Sequence, residues 1–315
     1  MSGARRGLRS GAGLLGLQQG HFARPELPMN TITSRDNRWL KAFRSALRGK
    51  GPDLRADEPI GIEGPKLVEE AIRSGLETEA LLVSESGESD AESILHAASQ
   101  SEAGISQSRI LRTSDKLFQS VSGTETPQGV AGLFRPRQWT LEDVLRGPAA
   151  TRAAEPLVIV LAAIQDPGNV GTILRSAEAF GATGAIATRG TADPWSPKAL
   201  RASAGSALRL PLLRGMAIPI VLAQLRIKGL RIYAASAGQN GHADIHDVAD
   251  LREPAGIFIG NEGTGLPAEV IRAADAKISI PTGAVESLNA GVAASIVLYE
   301  AARQRSEIAK AKAKA

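Results

Sequence analysis

The chain has 315 residues, a formal net charge of +4 and no cysteine, and only 3% of its residues are aromatic. The length predicts two domains, and the lack of cysteine excludes disulfides and thiolate metal sites and fits a reducing cytoplasm. No apolar run approaches the ~18 residues that a membrane-spanning helix requires. The early arginines precede only the short apolar run Leu14–Leu17, which is a poor targeting segment. We therefore expect a cytoplasmic protein.

Residues 1–33 are rich in Gly, Arg and Gln and show no hydrophobic periodicity, which predicts a disordered basic arm. The positive charge is concentrated near the start of the chain, because residues 1–50 hold ten Arg and Lys residues against two acids. A basic leading segment suits a polyanion such as RNA. A solvated, flexible arm without a partner explains the same charges, and both interpretations stay open at this point.

Residues 34–137 alternate short helical and strand-like segments, which predicts a small α/β domain. Its first helix is expected at Ser34–Arg48, where apolar residues recur at helical spacing. This segment also carries the candidate RNA-binding residues, which are Arg35, Arg38, Lys41, Arg44 and Arg48. Residues 138–155 include Gly147-Pro148 and neighbouring alanines, and we predict a linker there.

A second α/β domain is predicted at residues 156–306, followed by a basic tail at 307–315. Leu157–Ala162 is a near-continuous apolar run, as buried parallel strands show. Further strand-like runs alternate with helical segments up to a long final helix at Leu288–Arg303. This alternation predicts a parallel sheet covered by helices. Ligands of such sheets bind at the carboxyl ends of the strands.

A first polar cluster, Gln165–Arg175, follows the first strand of this domain. Its Asp-Pro-Gly sequence predicts a turn that leads into a helix. Asn169 is expected near the helix N-terminus, where it can cap the helix or contact a ligand. Arg175 lies nearly two turns later, and we expect both side chains to face one side. An ordinary capped helix with a solvated arginine accounts for this cluster equally well.

Two more polar clusters follow later strands. In Gly260–Gly265, three glycines surround Glu262 and allow the backbone to approach a ligand closely, although a tight turn alone explains them. Their spacing is not GxGxxG, and no P-loop occurs, so a dinucleotide oxidoreductase and a P-loop nucleotidase are disfavoured. The third cluster begins at Pro281 and ends with Ser287 and Asn289. Ser287 is the expected N-cap of the final helix, and Asn289 is expected in its first turn.

Together, the three clusters resemble the three motifs of the SpoU (TrmH-type) branch of the SPOUT RNA methyltransferases. The resemblance is dense over residues 155–304 and weaker in the front domain, where Ile62–Gly64 and Leu67–Ala71 are similar to the family's substrate-binding domain. It implies a parallel-sheet catalytic domain with a C-terminal trefoil knot, which is a rare exception to the rules of topology. It also implies a homodimer with the active site near the interface.

The resemblance further implies methyl transfer from S-adenosylmethionine to a ribose 2′-oxygen of rRNA or tRNA, without a metal. The catalytic residues that it implies are Asn169, Arg175, Glu262, Ser287 and Asn289. The cofactor is implied to rest largely on backbone atoms of Ala234, Gly260, Ile280 and Leu288. Between Pro281 and Ser287 the chain is one residue shorter than many relatives, so we expect the pocket floor to differ there.

An arginine with a pKa above ~12 seldom loses its proton, so we do not assign Arg175 the role of a base. Our hypothesis is that Arg175 holds the nucleotide phosphate or the developing oxyanion, and that Glu262 and Asn169 orient it. Ser287 and Asn289 would shape the pocket. We expect 23S rRNA as the target. A tRNA 2′-O-methyltransferase and a non-catalytic RNA-binding ribosome assembly factor on the same fold are the alternatives.

Overall fold

The computed structural model describes residues 30–49, 58–99, 109–148, 155–236, 243–244, 249–283, 285 and 287–312. The predictions for residues 1–29 of the basic arm and 313–315 of the tail lie outside this part of the chain. Among the residues described, no helix is both long enough and apolar enough to cross a lipid bilayer. The described chain forms two α/β units, each with its own sheet.

The first unit is the small α/β domain predicted from the sequence. Its elements are β1 (Asn30–Ile32), α1 (Arg38–Leu47), β2 (Ile60–Glu63), α2 (Pro65–Arg73), β3 (Glu77–Ser84), α3 (Glu88–Ser99), β4 (Ile110–Thr113), α4 (Asp115–Val121) and β5 (Val130–Arg135). The five strands lie in the order β1-β4-β3-β5-β2. Strand β5 is antiparallel to β3 and β2, whereas β1, β4 and β3 are parallel.

Strand β1 lies within the stretch 1–33 that the sequence analysis assigned to a disordered arm. It pairs with β4, and Thr113 donates its hydroxyl hydrogen to the Ile32 carbonyl. Only Ile32 of the three strand residues is buried. A strand this short has no alternation that a sequence pattern could detect. The small domain therefore includes residues 30–32, which precede its predicted start at residue 34.

Helix α1 begins later than predicted. Asn37 accepts a hydrogen bond from the Trp39 amide at 2.8 Å and is the N-cap, so the helix runs from Arg38 and not from Ser34. Arg35 consequently precedes the helix. The helix buries Leu40 and Phe43 against the sheet, as its periodicity predicted.

The second unit contains a parallel sheet, as predicted. Its elements are α5 (Leu141–Arg146), β6 (Leu157–Ala162), α6 (Pro167–Ala179), β7 (Gly184–Thr188), α7 (Pro197–Ser203), α8 (Ser206–Arg209), β8 (Leu212–Met216), α9 (Ile218–Ile227), β9 (Arg231–Ala235), β10 (Ala243–Asp244), β11 (Ala255–Gly260), α10 (Ala268–Ala273), β12 (Ala276–Ser279) and α11 (Ala290–Lys312). The strand order is β10-β12-β9-β11-β6-β7-β8, and all neighbours are parallel.

Helices cover both faces of this sheet. Alternate residues of β6 face opposite sides: Ile159 packs in the core that contains α6 and α7, and Val160 packs in the core that contains α9. All six residues of β6 are buried, which explains why its sequence is apolar throughout. The trefoil knot stays a prediction from the family resemblance.

Helix α5 lies inside the predicted linker at 138–155. Thr140 and Asp143 form a capping box at its start, and Val144 packs in the core beside α9. A six-residue helix is too short to show a periodicity, although its capping residues are present in the sequence. At the other end of the unit, α11 continues to Lys312, so residues 307–312 of the predicted tail are helical.

Arg209, at the end of α8, joins the two units. Its Nε and Nη2 donate to the two carboxylate oxygens of Glu178 on α6, each at 2.6 Å, and its Nη1 lies 2.5 Å from Glu70 on α2. Burial of Glu178 opposes ionisation, but hydrogen bonds from Arg209 and Ser206 outweigh it and lower the pKa of this carboxyl. The small domain is thus tied to the helix that carries the first polar cluster.

Candidate active site

The three polar clusters follow β6, β11 and β12, which end at the same edge of the parallel sheet. Strands β6 and β11 are adjacent, with Ala162 opposite Gly260 at their carboxyl ends. Strand β12 lies two positions away, beyond β9. Parallel pairing therefore brings together segments that are more than 90 residues apart in the chain.

A chain of hydrogen bonds links one residue from each cluster. Asn289 donates from Nδ2 to Oδ1 of Asn169 at 2.9 Å, and Asn169 donates from Nδ2 to Oε1 of Glu262 at 2.6 Å. Asn169 is buried, with 8% of its surface exposed, whereas Glu262 and Asn289 are exposed. A buried amide with both of its polar atoms satisfied has a fixed orientation. The predicted residues Asn169, Glu262 and Asn289 therefore form one unit.

The N-terminus of the final helix determines which way these hydrogen bonds run. Oδ1 of Asn289 accepts hydrogen bonds from the backbone N–H groups of Gly291 and Val292, at 2.9 and 3.2 Å. Its Nδ2 must then point toward Asn169, and each following amide is oriented in turn. Glu262 is the final acceptor. In the described part of the chain, its second carboxylate oxygen accepts no hydrogen bond, so it is available to a ligand.

Ser287 has a different place from the one predicted. Asn289 caps the final helix in its stead, because the helix begins at Ala290, two residues later than the sequence analysis placed it. Ser287 is exposed and lines the cavity described below. The sequence contains two good N-cap residues two positions apart, and local preference alone does not choose between them.

Arg175 does not join the hydrogen-bonded chain. It is exposed on α6, and it forms no hydrogen bond or ion pair within the described residues. Six residues of an α-helix correspond to a rotation of about 240° from Asn169, so the expectation that both side chains face one side was wrong. Within a single copy of the protein, Glu262 and Asn169 therefore do not orient Arg175.

The start of α6 also carries an ion pair, between Asp166 and Lys198. Asp166 caps the helix by accepting the Gly168 amide, and Lys198 from α7 lies 2.6 Å from the same carboxylate. The hydrogen bond from Lys198, followed by that from Gly168, lowers the pKa of Asp166. This pair places a cation beside the helix turn that carries Asn169.

A cavity of about 380 Å³ opens next to Glu262. Three of the four predicted cofactor-binding residues line it, namely Gly260, Ile280 and Leu288. The fourth, Ala234, packs in the core on the opposite face of the sheet, and its neighbour Ala235 lines the cavity. Side chains alternate along a strand, so the Ala234 side chain faces away from the cavity; contact between its backbone and the cofactor stays a prediction. Ser236 and Thr264 also line the cavity and were not predicted.

The glycine loop closes tightly over β11. A Cβ at Gly260 would lie 2.5 Å from the carbonyl carbon of Gly265. No side chain fits there, so glycine is required at this position. Asn261 and Gly265 exchange backbone hydrogen bonds at 3.2 and 2.9 Å, which fixes the loop as a narrow hairpin beside the cavity.

Asn261 is a residue of this loop that the sequence analysis missed. Its Oδ1 accepts the amides of Gly263 and Thr264, at 2.8 and 3.0 Å, and its Nδ2 donates to the Ala163 carbonyl at 2.9 Å. These bonds occupy two loop amides that the sequence analysis left available for a ligand, and they tie the loop to the end of β6. An asparagine within a glycine-rich loop is a common turn former, and that signal was present in the sequence.

The predicted RNA-binding residues divide into two groups. Arg44 and Arg48 both donate to the Ser120 carbonyl of α4, at 3.4 and 3.5 Å, and Arg44 is partly buried. Arg38 stacks over the Trp39 ring, and Lys41 lies 3.4 Å from Asp36; both cations are exposed. Arg35 is exposed ahead of the helix. All except Arg44 are therefore exposed on one region of the small domain.

The chain matches two family models. The SpoU rRNA Methylase family matches residues 156–299, which include all three polar clusters. The MRM3-like substrate binding domain matches residues 55–132. The chain is also 34% identical over 240 residues to the 23S rRNA (guanosine(2553)-2′-O)-methyltransferase RlmP of Bacillus subtilis, covering 76% of this chain and 86% of the relative.

Two solved structures have a similar fold. An AdoMet-bound rRNA methyltransferase from Sinorhizobium meliloti has a TM-score of 0.72 and 29% identity, over 87% of this chain and 98% of the other. The SpoU methyltransferase AviRb from Streptomyces viridochromogenes, in complex with AdoMet, has a TM-score of 0.72 and 26% identity, over 86% of this chain and 98% of the other. The matched motifs, the relatives and the fold agree: the chain belongs to the SpoU rRNA methylase family.

Proposed function

We propose that this protein transfers a methyl group from S-adenosylmethionine to a ribose 2′-hydroxyl of structured RNA, with 23S rRNA as the target. The observation that carries this proposal is the chain Asn289–Asn169–Glu262 beside a 380 Å³ cavity. The 23S rRNA 2′-O-methyltransferase of Bacillus subtilis, 34% identical, supports the reaction and the target class. The RNA target and the cytoplasmic location that it requires are parts of the proposal.

The cavity fits S-adenosylmethionine in size and in chemistry. Its volume lies within the ~300–1,000 Å³ of small-molecule sites. Its walls combine apolar side chains, such as Ile278 and Val297, with the exposed backbone of the glycine loop. Gly260, Ile280 and Leu288 would hold the cofactor largely through main-chain atoms. When bound, it supplies an electrophilic methyl group on a sulfonium sulfur.

The residues around the cavity position the nucleophile. A ribose hydroxyl is a weak acid, so a carboxylate that accepts its hydrogen bond makes the oxygen a better nucleophile. Within the described residues Glu262 has one unengaged carboxylate oxygen for this task, and its other oxygen accepts from Asn169, which Asn289 holds in turn. Ser287 shapes the rim. A bound S-adenosylmethionine would give up its methyl group to the ribose oxygen and leave as the thioether, and the hydroxyl proton would leave to water. Fixed positioning contributes up to roughly 7–11 kcal/mol in favourable cases.

A homodimer would place Arg175 at an active site. Helix α6 and the final helix lie side by side, with Ser176 bonded to Ser295 at 2.7 Å and Phe180 packed on Tyr299. Val292, Ile296 and Tyr299 remain exposed along the same helix face. A contiguous exposed apolar row suits a protein interface, and Arg175 lies beside it. In such a dimer, Arg175 of one copy would bind the nucleotide phosphate at the active site of the other copy.

A substitution within the exposed apolar row of Val292, Ile296 and Tyr299 tests whether the protein forms a homodimer through this face. Ile296→Glu should convert the dimer to a monomer, as measured by light scattering after gel filtration. Ile227→Glu is the matched control, because Ile227 is 75% exposed on α9 at the opposite face of the sheet. Wild-type protein that elutes as a monomer at micromolar concentration would remove this part of the proposal.

The function itself is tested with tritiated S-adenosylmethionine and unmodified 23S rRNA or total tRNA. We expect tritium in 23S rRNA as a 2′-O-methyl nucleoside, which resists alkaline hydrolysis. Incorporation into tRNA alone would favour a tRNA methyltransferase. Calorimetry that detects no binding of S-adenosylmethionine, together with intact RNA binding, would favour a non-catalytic assembly factor.

A further inference from the structure

Four exposed cations form what we call the basic track: Arg38, Lys41, Arg48 and Lys198. The first three lie on one side of α1, where the buried residues Leu40 and Phe43 occupy the other. Arg38 and Arg48 are ten residues apart, which is ~15 Å along a helix. This part of the track is therefore long enough to contact several consecutive phosphates of one nucleic-acid strand.

The C-terminal end of α1 meets the start of α7 at the boundary of the two units. A Cβ on Gly49 would lie 3.7 Å from the Cδ atom of Pro197. Ala46, Gly49, Ser196 and Pro197 line the same small cleft. Arg48 and Lys198 are the neighbours of these contacting residues in the chain, which places one cation on each side of the boundary between the two units.

Lys198 connects the track to the candidate active site. Its Nζ lies 2.6 Å from Asp166, the N-cap of α6, and its Cε lies 3.4 Å from the position of a Cβ on Gly168. Asn169 is the next residue. The Lys198 side chain is 62% exposed and its ammonium group has three donors, so it can keep Asp166 and also bind a phosphate. An exposed ion pair of this kind is weak and offers little resistance to a competing anion.

The two halves of the track are held in a fixed relation. Arg209 binds Glu178 of α6 and Glu70 of α2 at the same time. Helix α6 packs on α7, which carries Lys198, and α2 belongs to the same unit as α1. A rigid row of cations is a better match for the regular charges of a structured RNA than separate flexible side chains are.

We propose that the phosphate backbone of the RNA runs along the basic track from the small domain to the cavity, and that Lys198 binds the phosphate nearest the methylated ribose. This inference rests on the proposed function, because it assumes an RNA substrate. It adds a path on the surface and a specific contact at the domain boundary. Lys198 acts in RNA binding and not in cofactor binding.

Filter binding of an in vitro transcript of 23S rRNA, measured at several KCl concentrations, tests this path. Lys198→Gln should weaken binding about fivefold at 0.15 M salt and reduce the slope of log K against log[salt] by about 0.7–1. Lys198→Arg keeps the charge and should restore both. The affinity for S-adenosylmethionine should stay at the wild-type value in both variants.

Lys228→Gln is the matched control. Lys228 is also an exposed lysine paired with a carboxylate, Glu142, and it follows α9 on the opposite face of the sheet. The two Gln variants lose the same charge. The proposed RNA path would be wrong if Lys198→Gln bound RNA as tightly as the wild type. It would also be wrong if both Gln variants weakened RNA binding equally. This result is independent of turnover, so a wild-type protein that binds RNA without methylating it would reject only the proposed function.

Discussion

Glu63 is the last residue of β2 and Glu262 lies two residues after β11; both precede a glycine, yet their surroundings differ. In Glu63, in the small domain, both carboxylate oxygens are engaged: its Oε1 accepts the Ser122 and Thr124 hydroxyls, each at 2.6 Å, and its Oε2 accepts the Gly123 amide at 2.9 Å. Glu262, in the catalytic domain, accepts a single hydrogen bond from the described residues and borders a cavity. A carboxylate with both oxygens engaged by a loop stabilises that loop, whereas one with an unengaged oxygen can act on a substrate.

The largest effect is expected from replacing Asn169, which donates a hydrogen bond to Glu262. Asn169→Ala should lower turnover by roughly 10²–10³-fold, the usual effect of losing a positioned polar group at a reacting centre. The KM for S-adenosylmethionine should change little, because Asn169 does not line the cavity. Initial rates at saturating RNA measure the effect. Turnover within threefold of the wild type would show that the hydrogen-bonded chain has no part in the reaction.

Matched substitutions of the two glutamates come next. Glu63→Gln replaces one acceptor by an NH₂ group and should lower the free energy of unfolding by about 2–3 kcal/mol, since hydrogen bonds to charged groups are worth about 1.5–3 kcal/mol each. Glu262→Gln keeps the acceptor for Asn169 and should change the same quantity by less than about 0.5 kcal/mol.

Urea titration gives both free energies, and the same samples give the rates. The comparison requires opposite patterns, with activity retained in folded Glu63→Gln and lost in Glu262→Gln. If both variants lost stability and kept their activity, Glu262 would be a structural residue like Glu63.

A smaller effect is expected at Asn261, which shapes the loop that carries Glu262. Asn261→Ala removes its bonds to Gly263, Thr264 and Ala163 and should weaken S-adenosylmethionine binding about tenfold, or ~1.4 kcal/mol. Asn261→Asp keeps the acceptor for the two amides and loses only the donor to Ala163, so it should show an intermediate affinity. Calorimetric titration measures both. Equal affinity of Asn261→Ala and the wild type would assign the loop shape to its glycines alone.

The smallest effect is expected at the domain boundary. Glu70→Gln leaves Arg209 paired with Glu178 only and should cost about 1 kcal/mol of stability, as partly exposed ion pairs do. Glu69→Gln on the same helix is the control, because Glu69 pairs with Arg73 within α2. The RNA KM should rise for Glu70→Gln and not for Glu69→Gln. Identical RNA KM values would show that the bridge does not align the domains.

The sequence predicted those parts of the fold and site that local chemistry determines. Buried β6 was evident from its apolar run, and the site clusters were evident from polar residues and glycines that follow strands. The small domain and the parallel sheet were predicted and are confirmed. Family resemblance singled out Asn169, Glu262 and Asn289 together, but no local pattern contains the bonds between them, because those bonds depend on strand order.

The differences between prediction and structure have local causes too. Ala234 and Ala235 differ by one position in a strand, and that single step decides which face a side chain occupies. Ser287 and Asn289 are both suitable N-cap residues, and only the structure shows that the final helix begins at Ala290, directly after Asn289. Arg175 was assigned to the face of Asn169 although helical geometry separates them. In each case the sequence identified the segment, and the three-dimensional path of the backbone decided the individual residue.

The three-way contact of Arg209 has a consequence for target choice. With the small domain locked onto α6, the separation between the surface that grips RNA and the cavity that modifies it is constant. If RNA binds as proposed, such a protein would select a nucleotide by its distance from a docking structure in the folded RNA. Lengthening a helix of the target RNA by one base pair should then move the modified position, and not abolish modification.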